Sequence, residues 1–147
     1  MLYKHILVPT DGSALSRRAV RTAVALASTL GARITALYVV PEGVPTLFSG
    51  DKLYGSGVRG PQVRDAIRSA AEKALGFAQA SAAAAGVRCS SARTLARAPW
   101  QSIVHTARSR DCDLIVMASR GKHGLAALGS QTMKAVAHTR VPVLVCR

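Results

Sequence analysis

Residues 5–13 read HILVPTDGS, a short apolar run that ends at Pro9 and passes into the turn sequence Asp11-Gly12-Ser13. Apolar side chains then recur at the spacing of one helix face, at Leu15, Ala19, Ala23, Leu26, Ala27 and Leu30. This order predicts a buried strand, a tight turn and an amphipathic helix. Gly31 is a typical C-terminal helix cap, and residues 33–40 are a second apolar, β-branched run. A first βαβ unit is therefore predicted by residue 40.

The rest of the chain repeats this alternation. Helices are predicted over residues 61–85, from Pro99 through Ala107, and over residues 130–139; strands are predicted over residues 87–95, 114–117 and 141–146. Because right-handed crossovers join such strands, the pattern predicts a parallel sheet with helices on both faces. With no linker and no internal repeat, we predict one doubly wound α/β domain over residues 1–147.

The chain carries a net charge of +13, which points to anionic partners such as nucleotide phosphate, nucleic acid or an acidic surface. A solvated basic coat is the alternative interpretation. The arginines are dispersed along the chain and aromatic residues make up only 4% of it, so a stacking platform for bases is missing. We therefore do not expect nucleic acid to be a partner.

The sequence indicates neither a membrane protein nor a protein stabilised by disulfides or zinc. No apolar run approaches the roughly 18 residues of a membrane span, and the N-terminal residues do not follow the order of a secretory signal. A cytoplasmic location is therefore expected. Cys89, Cys112 and Cys146 are scattered, without a CxxC pair or a histidine at ligand spacing, so the sequence suggests neither a disulfide framework nor a zinc site.

The ligand crevice of a doubly wound sheet lies beyond the carboxyl ends of the strands, where the strand order reverses. Three segments should meet there, namely residues 9–13, the chain from Val39 onward, and residues 117–130. The last segment, ASRGKHGLAALGS at 118–130, ends at a predicted helix start and carries Arg120 and Lys122. Glycines and a helix N-terminus suit phosphate binding, although an ordinary glycine-containing connection has the same letters.

Asp11 is the one acidic residue of the first turn, and its carboxylate can hold a ribose hydroxyl or a divalent cation. From the residues alone, helix capping by Asp11 or Ser13 is the stronger interpretation, and the two roles are compatible.

The sequence GSGVRG at 55–60 matches the letters of a dinucleotide fingerprint, but it lies inside a long loop rather than directly after a strand. It is therefore interpreted as a mobile flap or a disordered loop. For catalysis, His123 is the only histidine in the crevice segment, and no paired acid and base can be assembled. The sequence favours binding over turnover.

Three blocks taken together resemble the universal stress protein family: KHILVPTDGS at 4–13, LYVVP at 37–41, and VMASRG at 116–121 through PVLV at 142–145. The likeness covers essentially the whole chain, in order. The resemblance implies a sheet in the order 3-2-1-4-5 and a homodimer paired through the last strand, here Val141 to Cys146. It also implies an adenine nucleotide, expected to be ATP with Mg²⁺ left open, bound in a stress-response sensor or regulator with at most a slow ATPase activity.

The nucleotide-binding branch of that family carries G-x2-G-x9-G-[ST]. In this chain Ala118 replaces the first glycine, and Gly121 is the second. Gly129-Ser130 is the closing pair, and seven residues, 122–128, separate it from Gly121, whereas the family pattern has nine. By analogy Asp11 and the backbone of Val39 would hold the nucleoside, and the loop would hold phosphate. The nucleotide-binding residues that the resemblance implies, with their strand-end neighbours, are Pro9, Thr10, Asp11, Val39, Met117, Ser119, Arg120, Gly121, Gly129, Ser130 and Gln131.

Two other hypotheses stay open. The short loop and Ala118 suit a dimeric interaction protein with a vestigial site, and the charge of +13 suits a polyanion-binding role. Val39 is equally a core residue in type, and Ser130 is equally suited to be a helix cap.

Overall fold

The computed structural model describes residues 2–42, 59–121 and 128–147. Its elements, in chain order, are β1 (His5–Pro9), α1 (Ala14–Leu30), β2 (Arg33–Pro41), α2 (Arg59–Ala84), β3 (Cys89–Ala96), α3 (Pro99–Ser109), β4 (Leu114–Ala118), α4 (Ser130–His138) and β5 (Val143–Cys146). The strands form one five-stranded parallel sheet in the order β3-β2-β1-β4-β5. The fold class and the strand order expected from the sequence are confirmed.

Helices α1 and α2 cover one face of the sheet, and α3 and α4 cover the other. The alternation of side chains along β1 shows why this central strand is apolar throughout. Ile6 and Val8 pack toward α1 and α2, whereas Leu7 packs with Ile103 and Ala135 on the opposite side. Burial on both faces therefore accounts for the continuous apolar run of Ile6, Leu7 and Val8.

Two predicted strand starts were two residues early, because the preceding helices end in structured turns. At the end of α2, Gly86 adopts the left-handed φ of 69° and the N–H of Val87 donates back to the carbonyl oxygen of Ala82 at 2.9 Å. Val87 therefore belongs to the helix cap rather than to β3. Before β5, the N–H of Val141 donates to Thr139 Oγ1 at 3.0 Å, and the strand begins only at Val143.

The amino end of the sheet buries a histidine. The side chain of His5 is 5% exposed, and its Nε2 lies 2.7 Å from Thr35 Oγ1, which in turn lies 3.1 Å from Ser90 Oγ. Burial lowers the pKa of His5, and the positive charge of Arg33 lowers it further. Because the buried ring is held neutral, protonation opposes folding at this position.

We expect stability to fall as the pH drops below about 6.5, the ordinary pKa of an unfolded histidine. As the pH falls, the unfolded chain takes up a proton before folded His5 does, and this uptake lowers the free energy of the unfolded state relative to the folded one. Urea unfolding at about pH 7.5 and about pH 5 measures this difference. His5→Gln should reduce the pH dependence, whereas His105→Gln, at an exposed position of α3, should leave it unchanged. Equal pH dependence in wild type and His5→Gln would contradict the assignment.

Candidate functional site

A cleft of about 150 Å³ opens at the carboxyl ends of β1, β2 and β4. The strand order reverses at this place, because β1 pairs with β2 on one side and with β4 on the other. Of the residues expected at a ligand site, the cleft is lined by Pro9, Thr10, Asp11, Val39, Met117, Arg120, Gly121 and Gln131. The structure thus brings together three segments of the chain, of which the first, at residues 9–11, and the last, at residues 117–131, are more than a hundred residues apart.

Asp11 is held by the turn that joins β1 to α1. Its Oδ1 accepts the N–H of Ser13 at 2.9 Å, and Gly12 adopts a φ of 82° within the turn. Ser13, not Asp11, is the N-cap of α1, since Ser13 Oγ accepts the N–H of Ser16 at 3.2 Å. The capping role weighed for either residue therefore belongs to Ser13, and the carboxylate of Asp11 lines the cleft.

The carboxylate of Asp11 also faces the segment after β4. A Cβ placed on Gly121 would lie 2.9 Å from Asp11 Oδ2, closer than such atoms approach in proteins. Glycine at this position therefore permits the close approach of the two segments. Burial raises the pKa of Tyr38, and the negative charge of Asp11 raises it further, which places this charge near β2 as well.

The backbone of Val39 points into the cleft. Leu37 and Val39 are two residues apart on β2, so their backbone polar groups point to the same side of the strand. That side faces β1, because the carbonyl oxygen of Leu37 accepts the N–H of Thr10 at 2.9 Å. β1 ends at Pro9, which is paired with Leu37. The N–H and C=O of Val39 therefore point into the space beyond the end of β1.

Two hydroxyl side chains in the cleft wall, Ser16 and Thr132, were missed by sequence reasoning. Thr10 Oγ1 lies 3.0 Å from Ser16 Oγ, and Thr132 Oγ1 donates to the carbonyl oxygen of Ala118 at 2.9 Å. Ser16 and Thr132 both line the cleft and are buried, with exposures of 3% each. Their spacing within helices carried no signal of this role. Leu37, Pro99, Ile103 and Ala118 complete the wall.

Ser119 stands behind the cleft rather than in its wall. It is fully buried, its N–H donates to the carbonyl oxygen of Cys146 at 2.7 Å, and its carbonyl oxygen accepts the N–H of Gly129 at 2.6 Å. Within the described part of the chain, Ser119 Oγ has no hydrogen-bond partner. Ser119 thus ties the end of β4 to β5 and to the start of α4.

The connection that is two residues short does not draw α4 away from the sheet. Besides the bond from Gly129 to Ser119, a Cβ on Gly129 would lie 3.2 Å from Arg120 Cα, so the helix start packs directly on the segment after β4. Gly129 is the N-cap, without a side-chain capping bond, and Ser130 is exposed; neither lines the cleft. The alternative prediction that Ser130 caps this helix is wrong, because Gly129 occupies the N-cap position. Lys122, His123 and the sequence GSGV at 55–58 lie outside the described residues.

Gln131 links the two helices on its face of the sheet. Its Oε1 accepts the N–H of Trp100 at 3.2 Å, in the first turn of α3, where α3 has no side-chain cap of its own. An orphan donor of one helix is thereby satisfied from another. This bond sets the distance between the two helix starts that border the cleft.

The family model for the universal stress protein family matches residues 2–147. The chain belongs to the universal stress protein family. A universal stress protein of Methanocaldococcus jannaschii is 32% identical over 99% of this chain and 83% of its own length. A universal stress protein solved in complex with cAMP is 25% identical, with a TM-score of 0.67 over 99% of this chain and 97% of the other.

A universal stress protein of Archaeoglobus fulgidus in complex with dAMP shares the fold, with 21% identity and a TM-score of 0.72 over the full length of both chains. Among the helices described in this universal stress protein, none is long and apolar enough to cross a membrane. Nor do three potential metal-ligating side chains of His, Cys, Asp or Glu converge anywhere in the described ranges.

Proposed function

We propose that this universal stress protein binds an adenine nucleotide in the cleft, with ATP as the expected occupant, and acts as a stress-response sensor or regulator. The observation that carries the proposal is the position of the Val39 backbone N–H and C=O beyond the end of β1. Adjacent donor and acceptor groups there match N1 and the 6-amino group of adenine. Leu37, Ile103 and Met117 supply an apolar wall against which a base can pack.

The carboxylate of Asp11 suits the ribose. It is fixed on one oxygen by Ser13, so it is oriented before a ligand arrives, and a charged acceptor forms a strong hydrogen bond with a hydroxyl group. A carboxylate is also the kind of oxygen ligand that a divalent cation prefers, and phosphate oxygens of the nucleotide would supply further ligands to Mg²⁺.

The phosphates fit between Arg120 and the start of α4. The first-turn N–H groups of an α-helix have no intrahelical acceptor, and the helix dipole adds partial positive charge there. The N–H of Gly129 already donates to the carbonyl oxygen of Ser119. The phosphate donors that we assign are therefore the backbone N–H groups of Ser130 and Gln131 and the guanidinium of Arg120. Gly129 therefore positions the helix rather than binding phosphate itself.

Nothing in the described cleft resembles an activated base. Asp11 is its only acidic residue and no histidine lines it, so we propose ligand retention with at most slow hydrolysis.

The decisive experiment is titration calorimetry of nucleotide-stripped protein with ATP, AMP and GTP, in the presence and absence of magnesium. Micromolar or tighter binding of ATP supports the proposal, with GTP weaker because its base edge presents donor and acceptor in the reverse order. No heat with any adenine nucleotide, and none retained on purification, would contradict it and favour an interaction protein with a vestigial site.

We also propose a homodimer through β5. This edge strand is apolar, Leu144 on it is 39% exposed, and Met133 and Val136 on α4 are 54% and 45% exposed. An uncovered apolar edge strand is a template for pairing with a second copy. The opposite edge, β3, carries Ser90, Ser91 and Arg93 and is far more polar.

Leu144→Lys is expected to shift the protein from dimer to monomer, because it places a charge at the centre of the proposed pairing. Leu95→Lys is the matched control, since Leu95 is 63% exposed on the other edge strand. Sedimentation velocity measures both variants over a range of concentrations. A monomeric wild type, or a dimer that Leu95→Lys dissociates and Leu144→Lys does not, would contradict the β5 interface.

A further inference from the structure

A second cavity of about 310 Å³ lies near the other end of α3 and α4, away from the nucleotide cleft. Its residues come from the C-terminal half of α3, the turn into β4 and the turn from α4 into β5. They are Val104, Ala107, Arg108, Asp111, Cys112, His138, Thr139, Arg140 and Val141. The cavity shares no residue with the nucleotide cleft.

The wall of this cavity has two chemical parts. Val104, Ala107, Cys112 and Val141 form an apolar part, and burial raises the pKa of the Cys112 thiol to about 11, so this cysteine stays neutral. Arg108 and Arg140 bring two guanidinium groups, against one carboxylate from Asp111. The balance of charge is therefore positive beside an apolar surface.

Two polar side chains of this wall, His138 and Thr139, already have partners within the protein. His138 Nδ1 lies 2.7 Å from the carbonyl oxygen of Lys134, which can only accept, so Nδ1 carries the hydrogen and Nε2 is the remaining polar atom of the ring. The ring also stacks on Trp100, with centroids 4.4 Å apart. Thr139 Oγ1 accepts the N–H of Val141, which leaves its hydroxyl hydrogen able to donate.

We propose that this cavity binds a small organic anion, with a carboxylate or phosphate group held by Arg108 and Arg140 and an apolar body against Val104 and Val141. Paired guanidinium groups recognise such planar or tetrahedral oxyanions through charge-assisted hydrogen bonds. A cavity of about 310 Å³ has room for a small anion of this kind. This inference does not depend on the nucleotide proposal.

Trp100 provides a built-in reporter, because it is the only tryptophan of the chain and it stacks on a ring in the cavity wall. Phenyl phosphate is the probe, since it combines one aromatic ring with a phosphate group. Titration of the full, nucleotide-stripped chain should give a saturable change in Trp100 emission.

Arg108→Gln with Arg140→Gln should weaken phenyl phosphate binding by at least about a hundredfold, since each of the two charge-assisted hydrogen bonds contributes at least about tenfold. The matched control is Arg18→Gln with Arg93→Gln, which removes the same two charges from exposed positions of α1 and β3. Circular dichroism verifies that both double variants are folded, and benzyl alcohol tests whether the charge is required.

Three outcomes would overturn the proposal: no saturable response in the wild type, equal weakening in the two double variants, or competitive displacement of phenyl phosphate by AMP. The last result would place the probe in the nucleotide cleft. Failure of nucleotide binding would leave the expected result unchanged, so the two proposals are tested separately.

Discussion

Gly121→Val should abolish tight ATP binding while leaving the protein folded. The first added carbon would lie 2.9 Å from Asp11 Oδ2, and this carboxylate cannot simply swing aside because its other oxygen holds the N–H of Ser13. The ribose contact and the position of the phosphate segment are disturbed together. Loss of one charged hydrogen bond corresponds to about ten- to a hundredfold, so we expect at least about a hundredfold loss of affinity.

Calorimetry with ATP measures this effect, and thermal unfolding verifies the fold. Gly76→Ala is the matched control, because Gly76 lies within α2 and a Cβ there meets nothing within 4 Å. That control should keep its affinity and gain slightly in stability, since alanine is the better helix former. Wild-type affinity in Gly121→Val would show that the nucleotide does not use the contact between the two segments.

Arg120→Gln should separate binding of the phosphates from binding of the nucleoside. Arg120 lines the cleft beside the start of α4, where the phosphates are proposed to lie. It is not part of the apolar wall that is proposed to contact the base. We expect the affinity for ATP to fall about ten- to a hundredfold, the effect of losing a charged hydrogen bond, while the affinity for adenosine stays the same.

Salt provides the second readout for Arg120→Gln. ATP binding by the wild type should weaken with added salt because charges are screened, and the variant should show a smaller dependence. Arg18→Gln, on the exposed face of α1, removes the same charge elsewhere and should behave as wild type. An equal loss of affinity for adenosine and ATP would mean that Arg120 supports the shape of the cleft rather than the phosphates.

Much of the fold could be predicted because its signals are local. The apolar run through Ile6 and Val8, the turn at Gly12 and the glycine caps at Gly31 and Gly86 each reflect a backbone or burial requirement that neighbouring residues reveal. The strand starts were less well predicted, since hydrogen bonds at the helix ends, such as Val87 to Ala82, take residues that are apolar enough for a strand.

The candidate site was predictable to a different degree for each residue. Asp11 and Gly121 were found through their motifs, and the structure places both in the cleft. Gly129 belongs to the same motif as Gly121, and Ser119 lies at one of its unspecified positions. These two residues bond to each other through the backbone and support the wall from behind. A motif records which residues are required but not whether each contacts a ligand or holds a neighbour.

The sequence by itself determined the order of elements, the parallel sheet and the end of the sheet at which a cleft opens, because periodicity and crossover handedness are properties of the chain alone. The tertiary structure alone decided that the short connection ends with Gly129 bonded to Ser119, and where the polar groups of Asp11, Val39 and Gln131 point. The distance between Gly121 and Asp11, the position of the Val39 backbone beyond the end of β1 and the bond from Gln131 to Trp100 all involve residues from different elements of the fold. Such contacts depend on how neighbouring strands and helices pack, which local sequence does not encode.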